Sequence, residues 1–424
     1  MPGPAAADNQ GIDMTATTPH PGMGFKEFVG LMAALMAINA IAIDAMLPAL
    51  GQIGQALGVI HANERQWIIT AYMLGYGATQ IFYGTLADRF GRKPVLLCGL
   101  AGYTVFTLAI AASHSFEALL AGRALQGVAA ASTRVVSVSV VRDCYAGRPM
   151  ARVMSLALIV LIGVPVFAPS AGQLMLLVAP WQGIFLALGA FGFTVLLWVW
   201  LRLPETLHAE DRKPIALRTI TETFGVILGN RLSMSYTAAT TMIFGAMLGF
   251  INSAQQLFTD VFHAGRLFPV IFAIIAVFIA ISSLLNARLV NIMGMRKLSH
   301  GALLTFIAIT GIHAILALSG RDTIWTFVIL QSGMMFCLGL MMGNFGAIAM
   351  EPLGHVAGAA ASVQGFLSTV IAAIIGFCLG QCFNGTDIPL ELGFVTLGLG
   401  ALLVVLFAEG GRLFQPHGTA AEAV

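Results

Sequence analysis

Twelve stretches of this chain are apolar over about twenty residues, and each has to be hidden from water. A bilayer's hydrocarbon core is roughly 30 Å thick, and a helix rises about 1.5 Å per residue, so each stretch matches one crossing. Marked by flanking charges and turn residues, they run 28–50, 67–86, 94–112, 117–140, 153–178, 182–201, 234–257, 268–288, 300–318, 324–346, 356–381 and 388–408. Of 424 residues only 9% are charged and 58% are apolar, too little charge to cover a soluble exterior. The expectation is an all-α membrane protein of twelve transmembrane helices.

Several function classes have nothing to stand on. The net charge of +2, without a basic run interleaved with aromatics, argues against nucleic acid and leaves lipid as the surrounding partner. Cys98, Cys144, Cys337, Cys378 and Cys382 are odd in number and lie mostly in apolar stretches, which disfavours a disulfide framework. Cys378 and Cys382 are one helical turn apart, but no histidine or acid accompanies them in the span, so they read as packing. No HExxH, CxxC, P-loop or GxSxG occurs, so no catalytic residue, metal or cofactor is expected.

Numbering the loops alternately sorts the basic residues. The side of the N-terminal tail holds 16 Lys and Arg, from Lys26 through Arg89, Arg92 and Arg142 to Arg412; the other side holds Arg65, Arg266 and Arg321. This asymmetry predicts that both termini are cytoplasmic. Residues 1–25, rich in Ala, Gly, Pro and Thr, read as a disordered cytoplasmic tail rather than a signal peptide, and 411–424 as a cytoplasmic tail at the other end. The longest polar connection, 204–230, divides the spans into halves at 26–203 and 231–410. Gly84-Thr-Leu-Ala-Asp-Arg-Phe-Gly-Arg-Lys-Pro94 returns in degraded form as Ala287-Arg-Leu-Val-Asn-Ile-Met-Gly-Met-Arg-Lys297, an offset of 203 residues. Two six-helix repeats are therefore expected, an arrangement common in secondary transporters. Asn291 stands where the first copy has Asp88, so the halves differ chemically.

The segment Gly84-x-Leu-Ala-Asp88-Arg89-x-Gly91-Arg92-Lys93-Pro94 resembles the loop 2-3 signature of the major facilitator superfamily. Ile43-Asp44-Ala-Met-Leu-Pro48, Arg123-Ala-Leu-Gln126-Gly127, Val141-Arg142-Asp143-Cys-Tyr145 and Leu203-Pro-Glu-Thr206 resemble its drug:proton antiporter-1 branch, within it the bicyclomycin/chloramphenicol resistance group of bacterial exporters. Trp67, Tyr72 and Gln80 extend the resemblance to span 2. The antiporter motif of span 5 appears as Gly163-Val-Pro165-x-x-x-Pro169-x-x-Gly172-Gln173, with Gln173 where a second glycine is usual, which puts close packing of spans 5 and 8 in doubt. The resemblance implies the major facilitator fold in the bacterial inner membrane, a small-molecule substrate, protons as coupling ions and a functional monomer.

Asp44 is the single acid well inside a span. A charge there is costly without a partner, and a low dielectric favours the neutral acid, as a proton-coupling site requires; capping the helix break before Pro48 is the structural alternative. Counted along their helices, Asp44 and Arg123 lie roughly 24 and 21 Å above the cytoplasmic face, so coupling between them is plausible, with Arg123 anchoring backbone carbonyls as the alternative. Tyr72, Gln126, Asn252, Asn344 and Gln364 complete the expected cavity, with Gln331 a further candidate. Asp88 is placed to stabilise a helix N-terminus in the other half and to pair with Arg142, and the resemblance makes that cluster a latch of the outward-open state. Arg134 falls about 20° from Arg123 around span 4, where it either lines the cytoplasmic mouth of the cavity or snorkels to headgroups.

The chain is thus expected to be a proton-coupled antiporter that exports small, largely apolar drugs or toxic compounds by alternating access. A proton-linked exporter of a metabolite such as an amino acid or sugar shares every motif. A membrane receptor or enzyme would need a sensing domain or catalytic cluster that no loop here is long enough to hold.

Overall fold

The computed structural model describes residues 23–212 and 217–415, and is all-helical there. The expectations for residues 1–22 and 416–424 lie outside the described residues. Twelve long helices are α1 (Phe25–Asp44), α3 (Trp67–Phe90), α4 (Arg92–Ala111), α5 (Phe116–Cys144), α6 (Gly147–Val178), α7 (Gln182–Arg202), α9 (Arg231–Gln256), α10 (Phe268–Met293), α11 (Met295–Leu318), α12 (Ile324–Met350), α13 (Ala357–Gln381) and α14 (Ile388–Ala408). Two short ones are α2 (Leu50–Ala56) and α8 (Leu217–Gly229). Eleven of the long helices are apolar enough to cross a membrane by length and composition. The twelfth, α3, carries Thr70, Thr79, Gln80 and Asp88, polar groups whose placement between neighbouring helices explains its lower hydropathy.

Local sequence signals set the ends. Ser115 and Asn230 accept the backbone N–H groups of Ala118 and Ser233, and Thr323 with Thr326 forms a reciprocal cap on α12. The internal repeat is visible in the backbone. Gly91 between α3 and α4 has φ +101° and ψ 157°, and Gly294 between α10 and α11 has φ +81° and ψ 156°, a left-handed corner open to glycine.

Two features refine that outline. The first span is broken before residue 50: α1 ends at Asp44, a 3-10 turn covers Leu47–Ala49, and α2 follows. Pro48 is the cause, since it has no N–H to give the carbonyl one turn back. Residues 204–230 also hold a helix. Within them α8 turns Phe224 and Ile227 onto Ile81 of α3, Leu353, and Val363 and Phe366 of α13, with Phe224 edge-on to Phe366 at 6.0 Å.

Six long helices precede α8 and six follow. The halves meet along α3 and α13 and along α6 and α10, so spans 5 and 8 do pack together despite Gln173. One end of the molecule carries the Lys/Arg-rich connections and is called the basic face below; the α3 N-terminus marks the opposite face.

Candidate functional site

Asp44 is the last residue of α1, 5% exposed, with neither an ion pair nor a hydrogen bond among the described residues. The helix breaks just after it: with Pro48 ahead, the Asp44 carbonyl loses its usual donor. Two neighbours seal the break. Gly172 of α6 lies so close to the carbonyl of Ala45 that a Cβ would overlap it, and the Pro48 ring would stand 3.3 Å from that Cβ. Gly163 and Gly172, with Ile41 and Ala45 of α1 and Ile184 and Leu188 of α7, line an apolar groove of about 570 Å³ in the N-terminal half. Pro165 and Pro169 both lie inside α6, Pro169 buried. Thus the glycine of the antiporter motif serves the α1 break as well as α6 itself.

Arg123 is fully buried and does not reach Asp44. Its Nε donates to the Ile68 carbonyl at 3.0 Å, and its Nη1 donates to the Ala42 carbonyl at 3.3 Å and to Gln126 Oε1 at 2.6 Å. The guanidinium lies 4.4 Å from the Tyr72 ring centre. Among the described residues no direct Asp44–Arg123 ion pair is formed; Arg123 instead joins α1, α3 and α5, and one of the carbonyls it fills belongs to the turn that ends at Asp44. Gln126 is turned away, its Nε2 donating to Thr107 of α4 at 2.7 Å. Close helix approach makes this geometry possible, since at Gly127 a Cβ would overlap the Tyr72 carbonyl. Arg134 is exposed and acts electrostatically on Tyr76.

The other expected cavity residues divide. Asn344 donates to Asn286 Oδ1 and to the Leu340 carbonyl, both at 2.7 Å, and Gln364 donates to Ser233 Oγ at 3.2 Å, so their amides are engaged within the C-terminal half. The Tyr72 hydroxyl, Asn252 Oδ1 and both amide atoms of Gln331 are buried with no hydrogen-bond partner among the described residues. These atoms join Asp44 as interior polar groups that no other side chain satisfies.

At the basic face the loop motif closes on itself. Arg92 Nη1 meets Asp88 Oδ1 at 2.5 Å and its Nε meets Asp143 Oδ2 at 3.0 Å, while Thr206 donates to the same Asp143 oxygen. Glu205 accepts the first N–H groups of α4, from Arg92 at 2.8 Å and Lys93 at 3.2 Å, and a Cβ on Gly91 would run into its carboxylate. The expected Asp88–Arg142 pair does not form, because Arg92, four residues on and just past the Gly91 corner, takes the carboxylate; Arg142 instead reaches toward Gly358, at the start of α13. Arg89 is exposed and Gly84 faces Ser362. In the C-terminal half Asn291 bonds only its own helix, and Arg296 pairs with Glu351 at 3.0 Å and Glu409 at 2.9 Å. Glu205 and Asp143 thus carry roles that the sequence reading did not assign, although both stand in segments singled out there; their partners are more than fifty residues away, beyond what a local motif reveals.

At the opposite face the halves are joined by amides. Gln66 Nε2 donates to Gln256 Oε1 at 2.7 Å and to the Gly380 carbonyl at 2.9 Å. Asn63 donates to the carbonyls of Gln381 and Phe383, Gln256 donates to Asn63, and Gln381 donates to Gln66. Farther along α3, Gln80 donates to Thr369 at 3.2 Å.

Comparison with known proteins places this geometry. Residues 32–377 match the sequence profile described as Major Facilitator Superfamily. The MFS-type transporter YdgK of Bacillus subtilis (strain 168) is 29% identical over 379 residues, 88% of this chain and 92% of that protein. The multidrug resistance protein MdtL of Escherichia coli O9:H4 is 28% identical, covering 91% and 96%, and a bicyclomycin resistance protein homolog of Haemophilus influenzae is 25% identical, covering 89% and 94%. Among solved structures, a D-xylose-proton symporter aligns with a TM-score of 0.69 at 11% identity, covering 92% of this chain and 97% of that one. The human organic anion transporter MFSD10 aligns at 0.64 and 17%, covering 90% and 99%; both likenesses bear on the fold alone.

Proposed function

The chain belongs to the major facilitator superfamily, a family of transporters of small molecules, and on that premise we propose that it is a proton-driven antiporter exporting small, largely apolar compounds from the cell. The observation that carries the reading is Asp44: a buried carboxylate with no partner, held at a helix break, which can exist there cheaply only as the neutral acid and can therefore take up and release a proton as its surroundings change. Relatives named for multidrug and bicyclomycin resistance support the substrate class.

In this reading the basic face is cytoplasmic, as the distribution of Lys and Arg argues, and the halves 26–203 and 231–410 rock about the interface of α3 with α13 and α6 with α10. Tyr72, Asn252 and Gln331 offer polar contacts to the substrate, and Arg123 is a positioning residue that fixes the α1 turn carrying Asp44. The Asp88–Arg92–Asp143 group braces the cytoplasmic end of the N-terminal half. The test is substrate-induced proton movement in everted membrane vesicles, scanned across antibiotics and metabolites. Proton efflux from acid-loaded vesicles on adding an apolar antibiotic is expected; a response confined to amino acids or sugars would move the chain to the metabolite exporters.

A further inference from the structure

Near the opposite face, inside the C-terminal half, three helices bring four titratable side chains to one point. His313 comes from the last turns of α11, Asp322 from the residue before the Thr323 cap of α12, and Asp387 and Glu391 from the start of α14. A ring nitrogen of His313 and carboxylate oxygens of Asp322 and Asp387 lie within 4.8 Å of one another. His313 Nε2 is 2.9 Å from Asp322 Oδ2, and its other nitrogen, Nδ1, is 2.9 Å from Glu391 Oε2. The His313 and Glu391 side chains are fully buried and that of Asp322 is 5% exposed.

Helix capping accounts for part of this arrangement. Asp322 accepts the N–H of Thr323 and the hydroxyl of Thr326, as a carboxylate at a helix start should. It does not account for the rest. Asp387 Oδ2 and both oxygens of Glu391 are buried without a hydrogen-bond donor, and Glu391 Oε2 is near Nδ1 but off the line of an N–H bond. Three acids and one imidazole converging in the interior call for a cation.

We propose that His313, Asp322 and Asp387 ligate a divalent transition-metal ion of the Zn²⁺ type, with Glu391 orienting the histidine through Nδ1. One imidazole and two carboxylates are a donor set for Zn²⁺, Co²⁺ or Mn²⁺ rather than Mg²⁺ or Ca²⁺, which favour oxygen alone. A carboxylate on the far nitrogen of a metal-bound histidine is the common outer-shell arrangement, and it gives the buried Glu391 a purpose. The ion ties the loops 319–323 and 382–387 to α11. The second of these begins beside Phe383, whose carbonyl accepts from Asn63 of the other half, so occupancy steadies the clasp between halves.

The test uses the full-length protein, tag removed and chelator-treated, with Cys98, Cys378 and Cys382 replaced by serine so that exposed thiols do not compete. Calorimetric titration with Zn²⁺ and the visible spectrum of the Co²⁺ form are the readouts. One ion per chain is expected, with no uptake of Mg²⁺, a Co²⁺ spectrum of nitrogen and oxygen ligation, and Zn²⁺ binding unchanged in Asp44→Asn. Asp387→Asn should abolish binding and Glu391→Gln should weaken it by about tenfold or more. Wild-type protein that binds no Zn²⁺, or an Asp387→Asn protein that binds it as tightly as wild type, overturns the assignment. Since the wild-type titration stands alone, a variant that fails to fold does not shelter the proposal, and a failure of proton-driven export would leave this result untouched.

Discussion

Gly172 of α6 abuts the carbonyl of Ala45, the residue that follows Asp44, with no room for a methyl group between them. The motif glycine and the buried acid, more than a hundred residues apart in sequence, are therefore parts of one packing unit, in which the break of α1 is pressed against α6.

Gly172→Ala should consequently force α1 and α6 apart. A gain in helix propensity of up to about 1 kcal/mol opposes an overpacking cost of about 1–3 kcal/mol, so the protein should still insert while its transport falls severalfold. Transport by Gly172→Ala at the wild-type rate would show that the contact is incidental.

Asp44→Asn keeps the shape of the side chain and removes its ability to titrate. Uphill, proton-driven export in proteoliposomes should be abolished while substrate binding survives. Wild-type uphill rates in this variant would take Asp44 out of the coupling role.

Arg123→Lys should behave as a structural lesion. A lysine ammonium cannot span the Ile68 and Ala42 carbonyls and Gln126 at once, and each buried acceptor left without a donor costs about 1–3 kcal/mol. Lower thermal stability, with residual transport falling in step, is the expected pattern; a stable protein that loses only coupling would contradict it.

Asp88→Asn and Asp143→Asn remove the two acceptors of the same Arg92 guanidinium, so both should slow transport in a folded, inserted protein. Asn291→Ala should do much less, because the hydrogen bond of Asn291 goes to Ala287 of its own helix. Equal shifts in spin-label distances between the halves for Asp88→Asn and Asn291→Ala would refute the asymmetry.

Gln66→Ala removes the residue that bonds Gln256, Gly380 and Gln381 together. Distances across the opposite face, measured between labels on α2 and on the loop before α14, should lengthen in a larger share of molecules. An unchanged distribution would mean that the clasp contributes nothing to the closed end.

The architecture was legible in the sequence wherever one short segment carries the signal. Apolar length marked the spans, and the repeat of the Gly91 corner at Gly294 announced two related halves, because a left-handed turn leaves few choices besides glycine. Asp44 stood out because a lone acid in an apolar stretch is conspicuous. Partnerships were less legible. Arg123 and Arg134 share a helix face, but whether that face meets water or the α3 backbone depends on Gly127, and nothing local says where a glycine's neighbour lies. Asp88 had both Arg92 and Arg142 within plausible reach, and proximity in the chain, across the Gly91 corner, decided in favour of the first. The cluster at His313 was missed because its members come from three helices and no spacing rule links residue 313 to 387.

The clasp at the opposite face is built from Asn63, Gln66, Gln256 and Gln381, amides bonded to one another and to backbone carbonyls. Each such bond is exchanged for one to water when the end parts, at a net cost of only about 1 kcal/mol. Because an amide carries no net charge, that cost is blind to pH, to ionic strength and to the voltage across the membrane. If transport is proton-driven as proposed, this clasp is a neutral spring, and the proton gradient would have to act on it mechanically, through the helices, from the buried acid below.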